Sequence, residues 1–247
     1  MAAPTVKRKS LRLEHRDWDA YLRRNAIRAL VRGVSRPGTL LDVGCGGDAL
    51  AGSVGRDVVG VDLVFGAVDT RGFAPVRASG LCLPFADRAF PVVVCSDVLE
   101  HLSLDERTRV IRELVRVTGE TLIVSFPSGE RAKEQDVIVK NLLLTRGTEV
   151  PSWLNEHLRQ RYPAPDDVIR IVRQIDPHAS TSVHDNFNRR LRKYYYRLAT
   201  AGSEPYLRIT RLLLSNIVRV LPSFCSLGGC YRKVVIVSRN NIPSSDQ

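Results

Sequence analysis

Between Leu40 and Leu63 the chain reads LLDVGCGGDALAGSVGRDVVGVDL, and the residue types there can hold a nucleoside-containing cofactor. An apolar run ends in Asp42 and Val43. Gly44, Cys45, Gly46 and Gly47 then turn the chain, and a second apolar run ends in Asp62. Glycines permit a sharp turn and a close approach of backbone to a ligand, and a helix start behind them points free N–H groups at it. An acid closing the next strand, about 20 residues on, is placed to accept hydrogen bonds from ribose hydroxyls. His101 follows a later apolar run, and Glu156-His157 stand in PSWLNEHL. Each can take a proton from an acceptor group. Each can equally be a structural or solvated side chain on a helix.

These residues need elements that bring them to one edge. Apolar runs predict strands at Thr39–Val43, Asp57–Asp62, Pro75–Ala78, Phe90–Cys95 and Thr121–Phe126, with helices at Asp48–Val54 and Leu104–Thr118. Strands separated by helices imply a parallel, doubly wound α/β sheet. Ahead of them, Trp18, Tyr21, Leu22, Ala26, Ile27, Leu30 and Val31 mark an amphipathic helix over Leu11–Val34, stopped by Arg36-Pro37-Gly38. After Pro127, Arg131–Leu144 and Ser152–Arg161 read as poorly periodic helices suited to covering an active site. A helix at Asp166–Ile175, a strand at Ser180–His184, helices at Asn186–Ala199 and Pro205–Leu221 and a strand at Tyr231–Ser238 complete the chain, with a disordered tail. Without internal repeats or low-complexity linkers, residues 1–247 are expected to form a single domain. Its parts are a basic N-terminal helix (1–36), a cofactor half (37–127), a substrate-side half (128–185), a helical insertion (186–222) and the last strand (231–238).

The net charge of +11 is unevenly placed: residues 1–36 carry +7, residues 37–186 carry −5, and residues 187–240 carry +10. Two basic segments thus flank a mildly acidic middle, a clue to the acceptor rather than the fold. The five cysteines are scattered without metal or redox spacing, so we read them as reduced thiols, mostly core, in a cytoplasmic protein. The basic N-terminus lacks the apolar segment of a secretory signal, and no 18-residue apolar run could span a membrane.

Gly44 to Ala49 fit GxGxxA, so a nicotinamide cofactor stays open on the glycines alone. Three further features favour another cofactor. Asp42 lies inside the first strand, where a carboxylate suits a cationic amino-acid portion; as an alternative it caps the following segment. Leu83-Pro84-Phe85-Ala86-Asp87 leads into the fourth strand, and that strand ends in Ser96-Asp97-Val98-Leu99-Glu100-His101. With LLDVGCGGD, VVGVDL and LPFADRAFPVVVCSDVLEHL, the chain resembles a class I S-adenosylmethionine (SAM)-dependent methyltransferase of the small-molecule, methyltransferase type 11-like kind, over about residues 38–127.

That resemblance implies a Rossmann-like, seven-stranded sheet whose last strand runs antiparallel, here YRKVVIVS. It implies that Asp42 and the backbone at Gly44, Cys45 and Gly46 hold the methionine part of SAM, and that Asp62, with Leu63 beside it, binds the ribose. Gly80 and Leu81 would border the adenine, and Ser96 and Asp97 would close the pocket near the sulfonium. Ser79 and Pro91 depart from the pattern, which commonly has acids there. Asp97, Glu100 and His101 also spell D-x-x-E-H, similar to metal-binding methyltransferases that act on polyphenols or RNA ends. Without a later histidine pair, no metal is expected.

The remaining expectations concern the acceptor. SAM carries its own activated methyl group, so the protein aligns an acceptor and excludes water. A hydroxyl acceptor needs a base, for which His101, Glu156 and His157 are the candidates, with Phe126, Pro127 and Trp153 as pocket lining. Asn188–Leu198, NRRLRKYYYRL, suits phosphates and stacked bases, or an ordinary helix with tyrosines inward. Arg208, Arg211, Ser215 and Arg219 make a polar stripe opposite Leu207, Leu212, Leu214, Ile217, Val218 and Leu221. That helix is read as a substrate lid, or as a peripheral contact with an anionic membrane. The preferred acceptor is a small, lipid-linked or sugar-linked molecule methylated at oxygen. The rivals are an RNA methyltransferase using the basic helices, a NAD-type oxidoreductase and a non-catalytic methyltransferase fold.

Overall fold

A computed structural model describes residues 18–34, 37–46, 50, 52–66, 70–200 and 205–239. Seven strands form one sheet: β1 (Leu40–Val43), β2 (Val58–Asp62), β3 (Phe73–Arg77), β4 (Phe90–Ser96), β5 (Thr118–Pro127), β6 (Ser180–Asn188) and β7 (Cys230–Ser238). Their spatial order is β3-β2-β1-β4-β5-β7-β6. The first five run parallel, and β7 runs antiparallel to both neighbours. The order reverses between β1 and β4, which places a ligand crevice at the carboxyl ends of those strands.

Alternation along each strand feeds two apolar layers. Leu41 and Val43, Val93 and Cys95, Leu122 and Val124, and Val235 and Val237 face α2 (Leu104–Val117) and α5 (Pro165–Ile175). Leu40, Val92, Val94, Ile123 and Val234 face the other way, toward Ile27 and Val31 of α1 (Trp18–Arg32). Helix α2 starts where Ser103 and Glu106 form a capping box, and α5 where Pro165 occupies its first turn ahead of Asp166 and Asp167.

A third core builds a helical layer. Trp18 and Leu22 of α1 pack with Val139 and Leu143 of α3 (Gly129–Thr145), Leu154 of α4 (Ser152–Arg159), Tyr195, Tyr196 and Leu198 of α6 (Arg189–Thr200) and Val218 of α7 (Pro205–Val220). Tyr195 and Tyr196 are thus buried, which leaves only Tyr194 of the three for a stacked base. Ser215 faces inward and accepts a hydrogen bond from Trp18 Nε1 at 2.9 Å, while Ile209, Leu212, Leu213, Ile217 and Val220 are exposed. The polar stripe expected on α7 is therefore broken, with Ser215 turned to the core.

Two other expectations change. In the predicted helix Asp48–Val54, Asp48, Ala49 and Ala51 lie outside the described residues, but Leu50 and Gly52–Arg56 are turn and bend. Gly52 and Gly55 both take φ of 69°, which a helix does not accommodate. The sixth strand continues four residues past His184 to Asn188, because β7 offers pairing partners as far as Cys230. The helix expected from Asn186 consequently begins at Arg189. Residues 11–17 of the first predicted helix and the C-terminal tail from Asn240 fall outside the described residues. Among the described residues, no helix is long and apolar enough to cross a membrane.

Candidate functional site

The crevice at the end of β1 begins with a tight turn. Gly44 takes φ of 76° and donates to Val61 O at 2.7 Å. A Cβ on Gly44 would lie 2.1 Å from Val98 Cγ2, so close packing against the exit of β4 demands glycine here. Gly46 takes φ of 57°, and a Cβ there would meet nothing within 4 Å. Its N–H donates to Asp62 Oδ2 at 2.8 Å, and Asp62 Oδ1 accepts from Val64 N at 3.3 Å. Asp42 is 5% exposed, and its Oδ2 accepts from Leu50 N at 3.2 Å, the capping role left open by the sequence. Burial, reinforced by Asp42 and Asp62, pushes the Cys45 thiol up to about 12. Leu63 is exposed. Beyond β3, Leu81 N donates to Ser79 Oγ at 3.2 Å, and Gly80 packs near Val43 and Val110.

At the exit of β4, Asp97 takes φ of 55° and donates its N–H to Ser125 O at 2.9 Å. Its carboxylate is gripped by Arg232 of β7, at 3.0 Å from Nε and 2.9 Å from Nη2, and also receives Arg23 of α1. Burial alone would raise the Asp97 pKa, but Arg232 and Arg23 outweigh it and hold the carboxyl well below the usual range. Ser96 Oγ next to it is buried and has no hydrogen-bond partner.

The three proton-transfer candidates meet beside this clamp. His101 Nδ1 lies 3.0 Å from Glu156 Oε2, and His101 Nε2 lies 3.1 Å from His157 Nε2. The other nitrogen of His157, Nδ1, faces Asp136 Oδ2 at 3.4 Å. Asp136 also accepts from Arg192 at 2.7 Å, from Tyr231 at 2.8 Å and from Tyr162. Burial would raise the Asp136 pKa, but Arg192 and the hydrogen bonds from His157, Tyr162 and Tyr231 bring it below its ordinary value. His101 is lowered by burial and by His157, against a smaller upward pull from Glu156. Glu100 is fully buried and neither carboxylate oxygen has a hydrogen-bond partner. Burial and then Asp97 push its pKa well up.

Sequence reasoning missed Asp19, Arg23, Asp136, Arg192 and Arg232. Arg192 is fully buried between Asp136 and the Tyr231 ring, 3.5 Å from its centroid, and Arg232 also pairs with Asp19. Two buried arginines in helix and strand patterns that are otherwise ordinary carry no local signal. The net charge of the 187–240 segment was the only hint, and it pointed to outside partners rather than inward.

Comparison with known proteins bears on the first half of the sheet. A family model described as a methyltransferase domain matches residues 41–121, from β1 into β5. Residues 41–121 carry a methyltransferase domain.

Ajmaline N-methyltransferase of Rauvolfia serpentina is 29% identical over 172 residues, 58% of this chain and 57% of that protein, so the chain spans little more than half of that relative's length. Among solved structures, a methyltransferase from an antibiotic biosynthesis pathway of Anabaena variabilis shares the fold at 14% identity and a TM-score of 0.54, over 90% of this chain and 98% of its own. The plantazolicin methyltransferase BpumL, solved with a triazolic desmethyl analogue and SAH, does so at 8% identity and a TM-score of 0.57, over 94% and 88%.

BpumL binds SAH, and the residues present here fit an adenosyl ligand of that kind. The space in front of Gly46 is open, and the Asp62 carboxylate is only partly covered at the strand end. Ser96 Oγ is a buried polar atom in need of a partner.

Proposed function

We propose that this chain transfers the methyl group of SAM to a hydroxyl oxygen of a small, lipid-linked or sugar-linked acceptor at the carboxyl edge of its sheet. Asp62 would accept from the ribose hydroxyls, and the Gly44–Gly46 backbone and Ser96 would border the methionine portion, with Gly80 and Leu81 near the adenine. Asp42 holds the glycine turn through Leu50, and Asp97 fixes the exit of β4; both therefore position the cleft rather than touch the methyl group. SAM supplies an activated methyl group, whose bond electrons return to sulfur as the new carbon–oxygen bond forms. The chain then has to orient the acceptor, exclude water and receive the hydroxyl proton.

The observation that carries this reading is the meeting of His101 with Glu156 at 3.0 Å and with His157 at 3.1 Å. Each imidazole has its Nδ1 against a carboxylate, which leaves the facing Nε2 pair, open to solvent on the His101 side, as the place where an acceptor's proton would be received. The 74° tilt between the two rings suits a shared site rather than stacking. Arg189, Arg190 and Lys193 line a cavity of about 520 Å³ with Gln135, next along α3 to Asp136, and this basic lining supports an anionic portion on the acceptor. A screen of hydroxylated acceptors with methyl-labelled SAM tests the proposal. Label appearing in an oxygen-bound methyl, reduced at least tenfold in His101→Ala, supports it. Transfer to nitrogen or carbon, or turnover unchanged in that variant, contradicts it.

A further inference from the structure

We propose that Glu100, His101 and His157 form a binding site for one divalent transition-metal cation at the exit of β4. Each residue offers one ligand atom, and these atoms lie within 4.8 Å of one another. The two Nε2 atoms are 3.1 Å apart, and His157 Nε2 is 3.8 Å from Glu100 Oε1. Ligands about 2.1 Å from one ion, at angles of 90–110°, stand roughly 3.0–3.4 Å from each other, so the imidazole pair already has that spacing.

Hydrogen bonding leaves the centre short of a positive partner. His101 Nδ1 faces the Glu156 carboxylate and His157 Nδ1 faces the Asp136 carboxylate. A carboxylate only accepts, so each Nδ1 carries the proton and each Nε2 presents a lone pair. Two lone pairs then point at each other beside the fully buried Glu100 carboxyl group, neither of whose oxygens has a hydrogen-bond partner. Acceptors converging with no donor between them are costly in a buried site. A cation supplies what is missing. The imidazole–carboxylate contacts are also the arrangement that orients metal-bound histidines and fixes their tautomer.

Asp97 belongs to the same sequence motif but not to this site, because Arg23 and Arg232 occupy its carboxylate. Two imidazoles and one carboxylate select zinc, manganese, cobalt or iron over magnesium or calcium. His101 is the exposed side of the set, with 30% of its side chain accessible, so the open coordination positions face outward there. Val98 packs against the glycine turn and stands two residues before Glu100, which sets the cation beside the cofactor crevice. This use of the site rests on the methyl-transfer reading: the cation would lower the pKa of the acceptor hydroxyl so that its proton passes to solvent, because the imidazole lone pairs that would otherwise take it are then bound to the metal. The binding itself does not depend on that reading.

The test is metal content and affinity of the full chain after chelator treatment, titrated with Zn²⁺ and, for its visible spectrum, with Co²⁺. Glu100→Gln, His101→Ala and His157→Ala are compared with His184→Ala, an imidazole outside the site, and circular dichroism checks each variant for fold. One equivalent bound, with affinity reduced at least tenfold in His101→Ala and unchanged in His184→Ala, is the expected result. Binding of no cation by the folded wild type, or equal binding by wild type and His101→Ala, overturns the proposal; the histidines then share a proton instead. Parallel SAM titration separates the claims. SAM bound without metal defeats this inference alone, and metal bound without SAM defeats the methyl-transfer reading alone.

Discussion

Arg232 of β7 grips Asp97 at the exit of β4 through two hydrogen bonds of 3.0 and 2.9 Å, across 135 residues of sequence. The same guanidinium reaches Asp19 of α1, so one buried cation ties the last strand, the cofactor edge and the N-terminal helix together. Removing it leaves two carboxylates without their shared partner in a low-dielectric interior. Arg232→Met is expected to destabilise the fold by about 3–5 kcal/mol in urea denaturation, and Asp97→Asn added to it should recover part of the loss.

Gly44 is a packing requirement more than a ligand one. Its left-handed φ and the 2.1 Å approach of a Cβ to Val98 together exclude any side chain. Gly44→Ala should weaken SAM binding at least tenfold by displacing the turn. Val98→Ala in the same chain removes the clash but not the backbone strain, so calorimetry should show partial recovery.

Glu113 and Arg116 of α2 hold the LPFAD loop beneath the expected adenine position. Glu113 Oε2 accepts from Leu83 N at 2.7 Å, and Arg116 donates to Phe85 O at 2.7 Å, Leu83 O at 3.0 Å and Asp87 at 2.9 Å. Hydrogen bonding from Arg116 holds the Glu113 carboxyl below its usual range, against a smaller opposing effect of burial. A carboxyl lowered on folding contributes fully above its unfolded pKa of about 4.3 and loses that contribution as pH falls through the lower folded value. The stability difference between wild type and Glu113→Gln should therefore be constant from about pH 8 to 5 and shrink below about pH 4. A difference that grows on acidification contradicts this.

Cysteine labelling reads the electrostatics of the glycine turn. Cys82 is exposed, whereas the Cys45 thiol is pushed up to about 12 by burial, Asp42 and Asp62. Iodoacetamide at pH 8 should modify Cys82 and spare Cys45, as read by peptide mass spectrometry, because the thiolate is the nucleophile.

The sheet was legible because apolar runs and turn residues repeat at the spacing of alternating strands and helices, and all seven strands lie where those runs fall. The first crossover was not: a helix is expected over Asp48–Val54, but of its described residues Leu50 and Gly52–Val54 are turn and bend, and Gly52 takes a left-handed φ. The strand-end acids of the glycine region were legible as a set, since local spacing alone places Asp42 and Asp62 at adjacent strand ends. The convergence of His101 with Glu156 and His157 joins segments 55 and 56 residues apart, and no periodicity reports such a distance. The same holds for Arg192 and Arg232: their charge reads as surface in a sequence, and only tertiary packing turns it inward.

Calorimetric titration of the folded wild-type chain with SAM and SAH, beside Asp62→Ala, tests the cofactor cleft most directly. Saturable binding of both ligands, weakened at least tenfold in the variant with thermal stability retained, is the predicted result. A folded protein that takes up neither ligand at millimolar concentration, or a variant that binds as well as wild type, contradicts the account.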